Sequence, residues 1–333
     1  MRDHLPDEAA RRARLRRTLG QALDRAGYRE VETPLYELDE LFRRGEPEQG
    51  SPLAGASPPA VRFSDPRPSD HAAQVVALRV DFTPQIARLW ATRLAHERGP
   101  HRLRYEGSIV RLGEALAGTP SELYQVGVEL IDAAAAGGDV ELLAILRGAL
   151  GKVGLRAASV DLGHAGFVRR ALGPVLAQLD DARPLLEALR HGDSRAVAKA
   201  TASVGDRRAR ALVSALPSLR GDAKVLLEAG RLCAGDPVAK AALAELRRAL
   251  SSVPRAVPLT IDLGEVRGLG YYTGLRCSAY ATGVGRAIAV GGRYDDLLAR
   301  FGRPAPAAGF AIELDALDEA LRAQGSTRGR RTG

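Results

Sequence analysis

The chain has 333 residues, of which 45% are hydrophobic, so it can build one large domain or two modest ones. No stretch approaches the roughly 18 uninterrupted apolar residues of a membrane helix. The N-terminus is charged and has no apolar segment like that of a secretory signal. We therefore expect a soluble cytoplasmic protein without a membrane partner.

The net charge of +8 suggests, taken alone, an anionic partner such as RNA. However, all but four of the 48 basic residues are arginine, which indicates a compositional bias, and aromatic residues make up only 5% of the chain. That is few for a base-stacking surface, so a solvated basic face is the favoured interpretation. Cys233 and Cys277 lie far apart without a CxxC motif, and the histidines lack metal-ligand spacing. We predict two reduced, buried thiols and no metal site.

Hydrophobic periodicity predicts alternating helices and strands in the first half of the chain. Residues 45–72 are rich in Pro, Ser and Gly and read as a loop with one strand at 60–65. The other predicted elements are a helix over 7–27 capped by Gly27, a strand broken by Pro34 with a short helix after it, a strand at 75–81, a helix at 82–97, strands at 101–113 and 122–132 that are able to form an antiparallel hairpin, a helix at 137–155 and a strand at 158–164.

The composition changes after residue 164. Residues 165–255 are rich in Ala, Leu and Arg with helical spacing, which predicts a small helical insertion. Strands return after Pro258, a helix start is predicted at LLARFG (297–302), and a strand leading into a helix ends near residue 322. The expected fold class is α+β, an antiparallel sheet flanked by helices. Its core is discontinuous, over 1–164 and 256–322, and residues 323–333 are predicted to be a disordered basic tail.

One predicted strand carries an unusual polar face. Gln125 and Glu129 are four residues apart and point the same way, whereas Val126 and Val128 point to the other face. Taken alone, Glu129 would be a solvent-exposed strand residue, and Asp81 would cap the helix that follows it. The residues by themselves therefore leave a structural role for both carboxylates open.

Four segments in the same order resemble the catalytic core of class II histidyl-tRNA synthetases. They are LRVDFTPQIAR (78–88), RLRYEGSIVR…ELYQVGVELI (102–131), VRGLGYYTG (266–274) and AVGGRYDDLLARFG…AAGFAIELDAL (289–317). The first helix and Pro34 are similar to motif 1, which builds the dimer interface of that family. The resemblance implies a class II aminoacyl-tRNA synthetase-like sheet and a homodimer.

The resemblance also implies a pocket for free histidine. Such a ligand needs acceptors for its ammonium group, arginine for its carboxylate, and a carboxylate or phenol for its imidazole. The matching residues are Asp81, Thr83 and Gln125 for the ammonium group, Arg111 and Arg267 for the carboxylate, and Glu129, Tyr271 and Tyr272 for the imidazole. Tyr271 and Tyr272 taken alone would be one core and one surface aromatic residue.

The sequence departs from the synthetases where they hold ATP. The matching positions carry Gly113 for a glutamate, Thr119, Ser121 and Ala316 for arginines, Glu313 for a glycine and Gly270 for an aspartate. Each lost charge-assisted contact would cost ~1.5–3 kcal/mol of binding. We therefore expect no catalytic residues, no cofactor and no adenylate formation.

We also expect no anticodon-binding domain, because only the predicted tail follows the last predicted helix. The pattern is similar to the histidyl-tRNA synthetase-like paralogues that are regulatory subunits of ATP phosphoribosyltransferase. That resemblance implies that the chain binds a short-form catalytic subunit and is required for the first step of histidine biosynthesis. It also implies feedback inhibition by histidine and no tRNA partner. The alternatives are an active synthetase fragment, an amino-acid-activating paralogue, and an RNA-binding module built on the helical insertion and tail.

Overall fold

The computed structural model describes residues 3–46, 53, 60–65, 74–112, 121–156, 158–252 and 258–329. Most of the predicted loop at 45–72 lies outside these residues, as do Gly113, Thr119 and the end of the predicted tail at 330–333.

Eleven helices are present in the described residues. They are α1 (Pro6–Arg25), α2 (Asp39–Gly45), α3 (Thr83–Leu89), α4 (Ala135–Lys152), α5 (Ala165–Leu176), α6 (Arg183–Arg190), α7 (Ser194–Ala200), α8 (Arg207–Ala215), α9 (Lys224–Leu232), α10 (Pro237–Ser252) and α11 (Leu314–Gly329). The predicted first helix is confirmed as α1, which buries Leu15, Leu19 and Leu23 along one face. Gly27 follows it with a φ of +85°, a left-handed conformation that favours glycine.

Twelve strands in the same residues form two sheets. They are β1 (Arg29–Glu30), β2 (Tyr36–Leu38), β3 (Arg62–Ser64), β4 (Val75–Leu78), β5 (His101–Val110), β6 (Glu122–Ile131), β7 (Ala158–His164), β8 (Arg220–Gly221), β9 (Leu259–Asp262), β10 (Leu275–Ala281), β11 (Ala289–Arg293) and β12 (Ala307–Glu313). The large sheet has the order β1-β5-β6-β12-β11-β10-β7-β9-β8, and the small sheet has the order β2-β4-β3.

The large sheet is mainly antiparallel, as predicted. The hairpin of β5 and β6 is confirmed, with His101 opposite Ile131 and Val110 opposite Glu122. The pairs β1–β5 and β7–β9 are parallel, which the sequence analysis did not predict. Parallel neighbours need a crossover connection rather than a tight turn, and the helices α5 to α10 lie in the connection between β7 and β9.

Three predicted elements differ from the structure. The helix predicted at 82–97 is α3 followed by a π-helical turn over Trp90–Leu94. The helix predicted at LLARFG is one 3-10 turn, Leu298–Phe301, ended by Gly302 with a φ of +91°. The predicted disordered tail is wrong up to Gly329, because α11 continues to that residue. Once a helix is nucleated, each further residue adds a hydrogen bond, so it extends through residues without a strong helical pattern.

One hydrophobic core joins the sheet to the helices between β7 and β9. Leu162 of β7, Phe167 of α5 and Leu246 of α10 are fully buried in the same cluster. Because this core is continuous, the division at residues 165 and 255 stays a prediction. Cys233 and Cys277 are both buried and free, as predicted. Within the described residues, we find no helix whose length and hydropathy would suit it to cross a membrane.

Candidate functional site

A cavity lies where β6, β12 and β11 meet the start of α3 and the segment 266–274, which we call the tyrosine loop. Seven of the eight predicted site residues line it. The lining residues are Asp81, Thr83, Tyr105, Arg111, Gln125, Glu129, Gly268, Tyr271, Tyr272, Val290, Gly291, Tyr294, Gly309, Phe310 and Ala311. The tertiary fold therefore brings together residues that come from four separate segments of the sequence.

The floor of the cavity is a polar stripe of the sheet that glycines keep open. Gln125 and Glu129 share this face, and Val126 and Val128 are fully buried on the other, as the alternation predicted. Gly309 of β12 lies opposite Glu129. A Cβ atom at Gly309 would lie 2.0 Å from Glu129 Oε2, so only glycine leaves room for the carboxylate there.

Glu129 is a buried carboxyl group, which overturns the interpretation that it is an exposed strand residue. It is only 2% exposed. Its Oε1 atom accepts a hydrogen bond of 2.7 Å from the hydroxyl of Thr83, whereas its Oε2 atom has no partner in the part of the chain that the structure describes. Burial raises the pKa of Glu129 well above its usual range, Thr83 opposes that rise, and the negative charge of Asp81 adds to it. Thr83 thus orients the carboxyl group.

Two further buried polar atoms at this cavity lack protein partners among the described residues. They are Oε1 of Gln125 and the hydroxyl of Tyr294, whose side chains are 4% and 3% exposed. A buried polar group without a partner costs about 1–3 kcal/mol. With Glu129 Oε2, three such atoms line one cavity, which is the arrangement expected when a polar ligand completes their hydrogen bonds.

Asp81 lies at the start of α3 and has two roles. It lines the cavity, and its Oδ1 atom accepts a hydrogen bond of 3.3 Å from the backbone N–H of Thr83. The N-cap residue itself is Phe82, so capping by Asp81 is offset by one position. Arg79 fixes this segment by donating to the backbone oxygens of Ser108 and Thr33, at 2.9 and 3.1 Å. Burial lowers the pKa of Arg79 to about 10.

Three tyrosines form an aromatic wall of the cavity. The ring centroids of Tyr271 and Tyr272 are 5.1 Å apart, and those of Tyr271 and Tyr294 are 5.2 Å apart. Gly268 has a φ of +74°, and a Cβ atom there would lie 3.0 Å from the ring of Tyr272. Burial raises the pKa of Tyr271 well above its usual range, so its phenol stays protonated and able to donate.

The two predicted carboxylate-binding arginines are placed differently. Arg111 lines the cavity, and its Nε atom donates to the backbone oxygen of Val80 at 2.9 Å. Arg267 is not among the lining residues, and its Nη2 atom lies 2.9 Å from Oε2 of Glu265. The side chain of Arg267 is 59% exposed. Its guanidinium is therefore paired with Glu265, two residues earlier, and the expected role of Arg267 in binding the carboxylate stays a prediction.

We call the residues around Glu129 and the three tyrosines the inner end. Glu313 and Ala316 stand at positions that the resemblance assigns to ATP, and we call them, with Asp315 and Arg286, the outer end. None of these four is among the lining residues of the cavity. The Nε atom of Arg286 donates to Glu313 at 2.9 Å, and Asp315 pairs with Arg12. Burial raises the pKa of Glu313, and Arg286 and Arg111 oppose that rise. Ala316 is fully buried in the hydrophobic core.

Sequence reasoning missed Tyr105, Tyr294 and Gly309 as site residues. Tyr294 and Gly309 lie inside segments that carried the resemblance, so the resemblance could have indicated them as well. The close approach of Gly309 to Glu129 depends on strand register, which only the structure gives. Among the described residues, no group of three or more His, Cys, Asp or Glu side chains is arranged to hold a metal.

Comparison with known proteins identifies the family. The family model for histidyl-tRNA synthetase matches residues 1–317. An ATP phosphoribosyltransferase regulatory subunit of Anaeromyxobacter dehalogenans is 43% identical over 99% of this chain and 92% of the relative. The chain belongs to this histidyl-tRNA synthetase-like family of regulatory subunits. A regulatory subunit of Geobacter sulfurreducens is 36% identical over 96% of this chain and 71% of the relative.

Solved structures agree with that assignment. A crystal structure from Bacillus halodurans, described as an ATP phosphoribosyltransferase regulatory subunit/histidyl-tRNA synthetase, is 31% identical with a TM-score of 0.83. The match covers 96% of this chain and 82% of that one. The resemblance and the class II fold are thus confirmed, and the curated relatives are named as regulatory subunits of ATP phosphoribosyltransferase.

Proposed function

We propose that this chain senses free histidine at the inner end of the cavity and transmits that signal to a short-form catalytic ATP phosphoribosyltransferase. The observation that carries the proposal is a set of three buried polar atoms, on Glu129, Gln125 and Tyr294, that have no partner among the residues described by the structure. A ligand with two ring nitrogens and an ammonium group supplies the donors and acceptors that such a set needs.

Histidine has a preferred orientation in this cavity. Glu129 and a tyrosine, Tyr272 in our assignment, bind the imidazole. Asp81 and Gln125 accept hydrogen bonds from the ammonium group. Thr83 lies beside them and orients the carboxyl group of Glu129, which binds the imidazole. Arg111 binds the carboxylate. Arg267 joins it only if its ion pair with Glu265 opens, so its role in binding stays a prediction.

The partner and the physiological effect follow from the family. The relatives are named as regulatory subunits of ATP phosphoribosyltransferase, which implies a catalytic partner. In our proposal the complex works in the cytoplasm on the first step of histidine biosynthesis, and histidine bound to this chain inhibits the catalytic subunit. The outer end argues against the alternative of an amino-acid-activating enzyme, because Ala316 and Glu313 stand where the resemblance expects an arginine and a glycine.

A homodimer is also part of the proposal. The small sheet β2-β4-β3 carries a cluster of exposed apolar side chains, which are Leu35, Tyr36, Leu38, Phe63 and Val75. Tyr36 and Phe63 contact each other with ring centroids 6.1 Å apart. By strand alternation, Tyr36, Leu38 and Phe63 share one face of this sheet. Exposed apolar side chains on one face mark an interaction surface, and this face lies beside Pro34 in the motif 1 region. Light scattering should give a dimer for the wild type and a monomer for Tyr36→Asp.

Calorimetry with the isolated chain tests the histidine site. We expect histidine to bind at least ~100-fold more tightly than phenylalanine or leucine, about 3 kcal/mol, because apolar side chains leave the polar atoms unpaired. In the reconstituted complex, histidine should inhibit the catalytic subunit. Equal binding of histidine and leucine, or no binding of histidine, would refute a histidine-sensing site.

A further inference from the structure

One arginine outside the cavity holds the tyrosine loop in place. Arg169 of α5 donates from Nη1 to the backbone oxygens of Leu269 and Tyr272, at 2.8 and 2.7 Å. Its Nη2 atom donates to the backbone oxygen of Thr273 at 3.2 Å. One guanidinium thus gathers three carbonyl groups of the loop that carries Tyr271 and Tyr272.

The choice of acceptors by Arg169 sets it apart from its neighbour on the same helix. Arg170 pairs with a carboxylate, its Nε atom lying 2.6 Å from Oδ2 of Asp236. The hydrogen bonds of Arg169 go instead to neutral carbonyls, although the side chain is half-buried and burial lowers its pKa. Placing a partly desolvated cation on one loop costs free energy, so a benefit from ordering that loop is expected.

The start of α5 reinforces this connection. The backbone N–H of Ala165 donates to the oxygen of Gly274, at the end of the loop, at 2.8 Å. His164 caps α5 by accepting from the N–H of Phe167, and its Nε2 atom lies 2.9 Å from Glu245 of α10. The loop is therefore bonded to a helix that is itself bonded to the rest of the segment between β7 and β9.

We propose that Arg169 is the positioning residue of the tyrosine loop, and that the helical segment thereby sets the affinity of the cavity for its ligand. Arg169 does not line the cavity, so it acts through Tyr271 and Tyr272. The affinity part of this inference rests on the proposed histidine site, whereas the positioning part concerns the protein without ligand.

The bonds of the loop itself indicate which part depends on Arg169. The N–H groups of Tyr271 and Tyr272 both donate to the oxygen of Gly268, inside the loop, at 3.0 and 2.9 Å. The N–H of Thr273 donates to the oxygen of Arg293, at 2.7 Å, on β11. Without Arg169, Thr273 keeps its anchor on the sheet, whereas the turn with both tyrosines loses its tie to α5.

The geometry of the side chain predicts a graded series of variants. Arginine offers five donors in a rigid plane, whereas lysine offers a compact ammonium group on a flexible chain. Arg169→Lys keeps the charge but cannot hold the three carbonyls in one fixed arrangement. We therefore expect the loop to loosen in the order wild type, Arg169→Lys, Arg169→Ala. Arg170→Ala, which removes an ion pair of the same helix without touching the loop, is the matched control.

Two measurements test the proposal in the full chain. Hydrogen exchange without ligand should be at least about tenfold faster in residues 266–274 of Arg169→Ala, and unchanged in Arg170→Ala. Calorimetry should show histidine binding at least about tenfold weaker in Arg169→Ala, about 1.4 kcal/mol, with Arg169→Lys in between. Circular dichroism should show the same helix content in all variants.

The outcomes separate this inference from the proposed function. If the loop of Arg169→Ala exchanges at the wild-type rate, the positioning role is wrong whether or not histidine binds. If the loop of Arg169→Ala loosens but the wild type does not bind histidine, the positioning role is supported and the proposed histidine site is refuted. If the loop loosens while histidine affinity stays equal, the link between the helical segment and the cavity is refuted. Should Arg169→Ala fail to fold, Arg169→Lys decides by the same two measurements.

Discussion

The inner end and the outer end differ in whether their polar side-chain atoms have hydrogen-bond or ion-pair partners within the protein. At the inner end, Glu129, Gln125 and Tyr294 each have a buried polar atom to which no other described residue forms a hydrogen bond. At the outer end, Glu313 is bonded to Arg286 and Asp315 to Arg12. The protein therefore completes its own hydrogen bonds at one end and leaves them incomplete at the other.

This difference indicates how a synthetase-like fold can serve sensing without catalysis. Buried unpaired groups favour a ligand that pairs them, so the inner end retains a reason to bind an amino acid. At the outer end, Arg286 and Arg12 are already paired with Glu313 and Asp315 within the protein. In our proposal, binding and activation of an amino acid are separable because the residues assigned to each are different.

The largest expected contrast is between binding and activation in the wild-type protein. The chain should bind histidine but show no histidine-dependent exchange of pyrophosphate into ATP and no charging of tRNA. The physical reason is that Ala316, which is buried in the core, and Glu313 stand where the resemblance expects an ATP-binding arginine and a glycine. Detectable adenylate formation by the pure protein would remove the distinction between the two ends.

The next largest effect is expected from removing one carboxylate at each end. Glu129→Ala should weaken histidine binding at least ~100-fold, about 3 kcal/mol, because it removes the buried acceptor for the imidazole. Glu313→Gln should change the affinity by about threefold at most, because Arg286 already neutralises that carboxylate. Both variants should keep the dimer by light scattering. Equal losses of affinity in calorimetry would show that the two ends do not differ as described.

The pH dependence of stability should report the burial of the Glu129 carboxyl group. Burial raises its folded pKa above the unfolded value of about 4.3. Between these two values the folded state binds more protons than the unfolded state, so the free energy of unfolding falls as the pH rises. The side chain of Glu129→Gln cannot titrate. Without ligand, the free energy of unfolding of this variant relative to that of the wild type should therefore increase from pH 4 to pH 8. Urea denaturation over this range measures it.

Glu141 provides a control of opposite sign. A hydrogen bond from Arg102 lowers the pKa of Glu141, so its carboxylate stabilises the fold above the unfolded pKa and loses that effect as the pH falls. Glu141→Gln should therefore be less stable than the wild type at pH 7, and the deficit should shrink towards low pH. Parallel curves for the wild type and Glu129→Gln would contradict the raised pKa.

The smallest effect is expected at the outer end. Arg286→Ala breaks ion pairs with Glu313 and Glu319, whose side chains are 17% and 42% exposed. Partly exposed pairs contribute little, so the free energy of unfolding should fall by about 1 kcal/mol or less. Histidine affinity should stay at the wild-type value. A loss of histidine binding in Arg286→Ala would mean that the outer end supports the ligand directly.

The sequence predicted much of the site because its residues lie in local patterns. Gln125 and Glu129 share a face through strand alternation alone, and the paired tyrosines follow a glycine turn. The resemblance then assigned these separate patterns to one pocket, which the cavity supports for seven of the eight residues. Hydrophobic periodicity likewise indicated α1 and the hairpin of β5 and β6, because both depend on residues close in the chain.

What only the tertiary structure decided depends on contacts between distant segments. Arg267 faces Glu265 instead of the cavity, Gly309 makes room for Glu129 across a strand pair, and Arg169 reaches the tyrosine loop from a helix about a hundred residues away. The sequence by itself determined the family, most of the element order and seven of the residues that line the cavity. Local periodicity specifies which way a side chain points within its own element, but only packing and strand register decide which side chain of another element it meets.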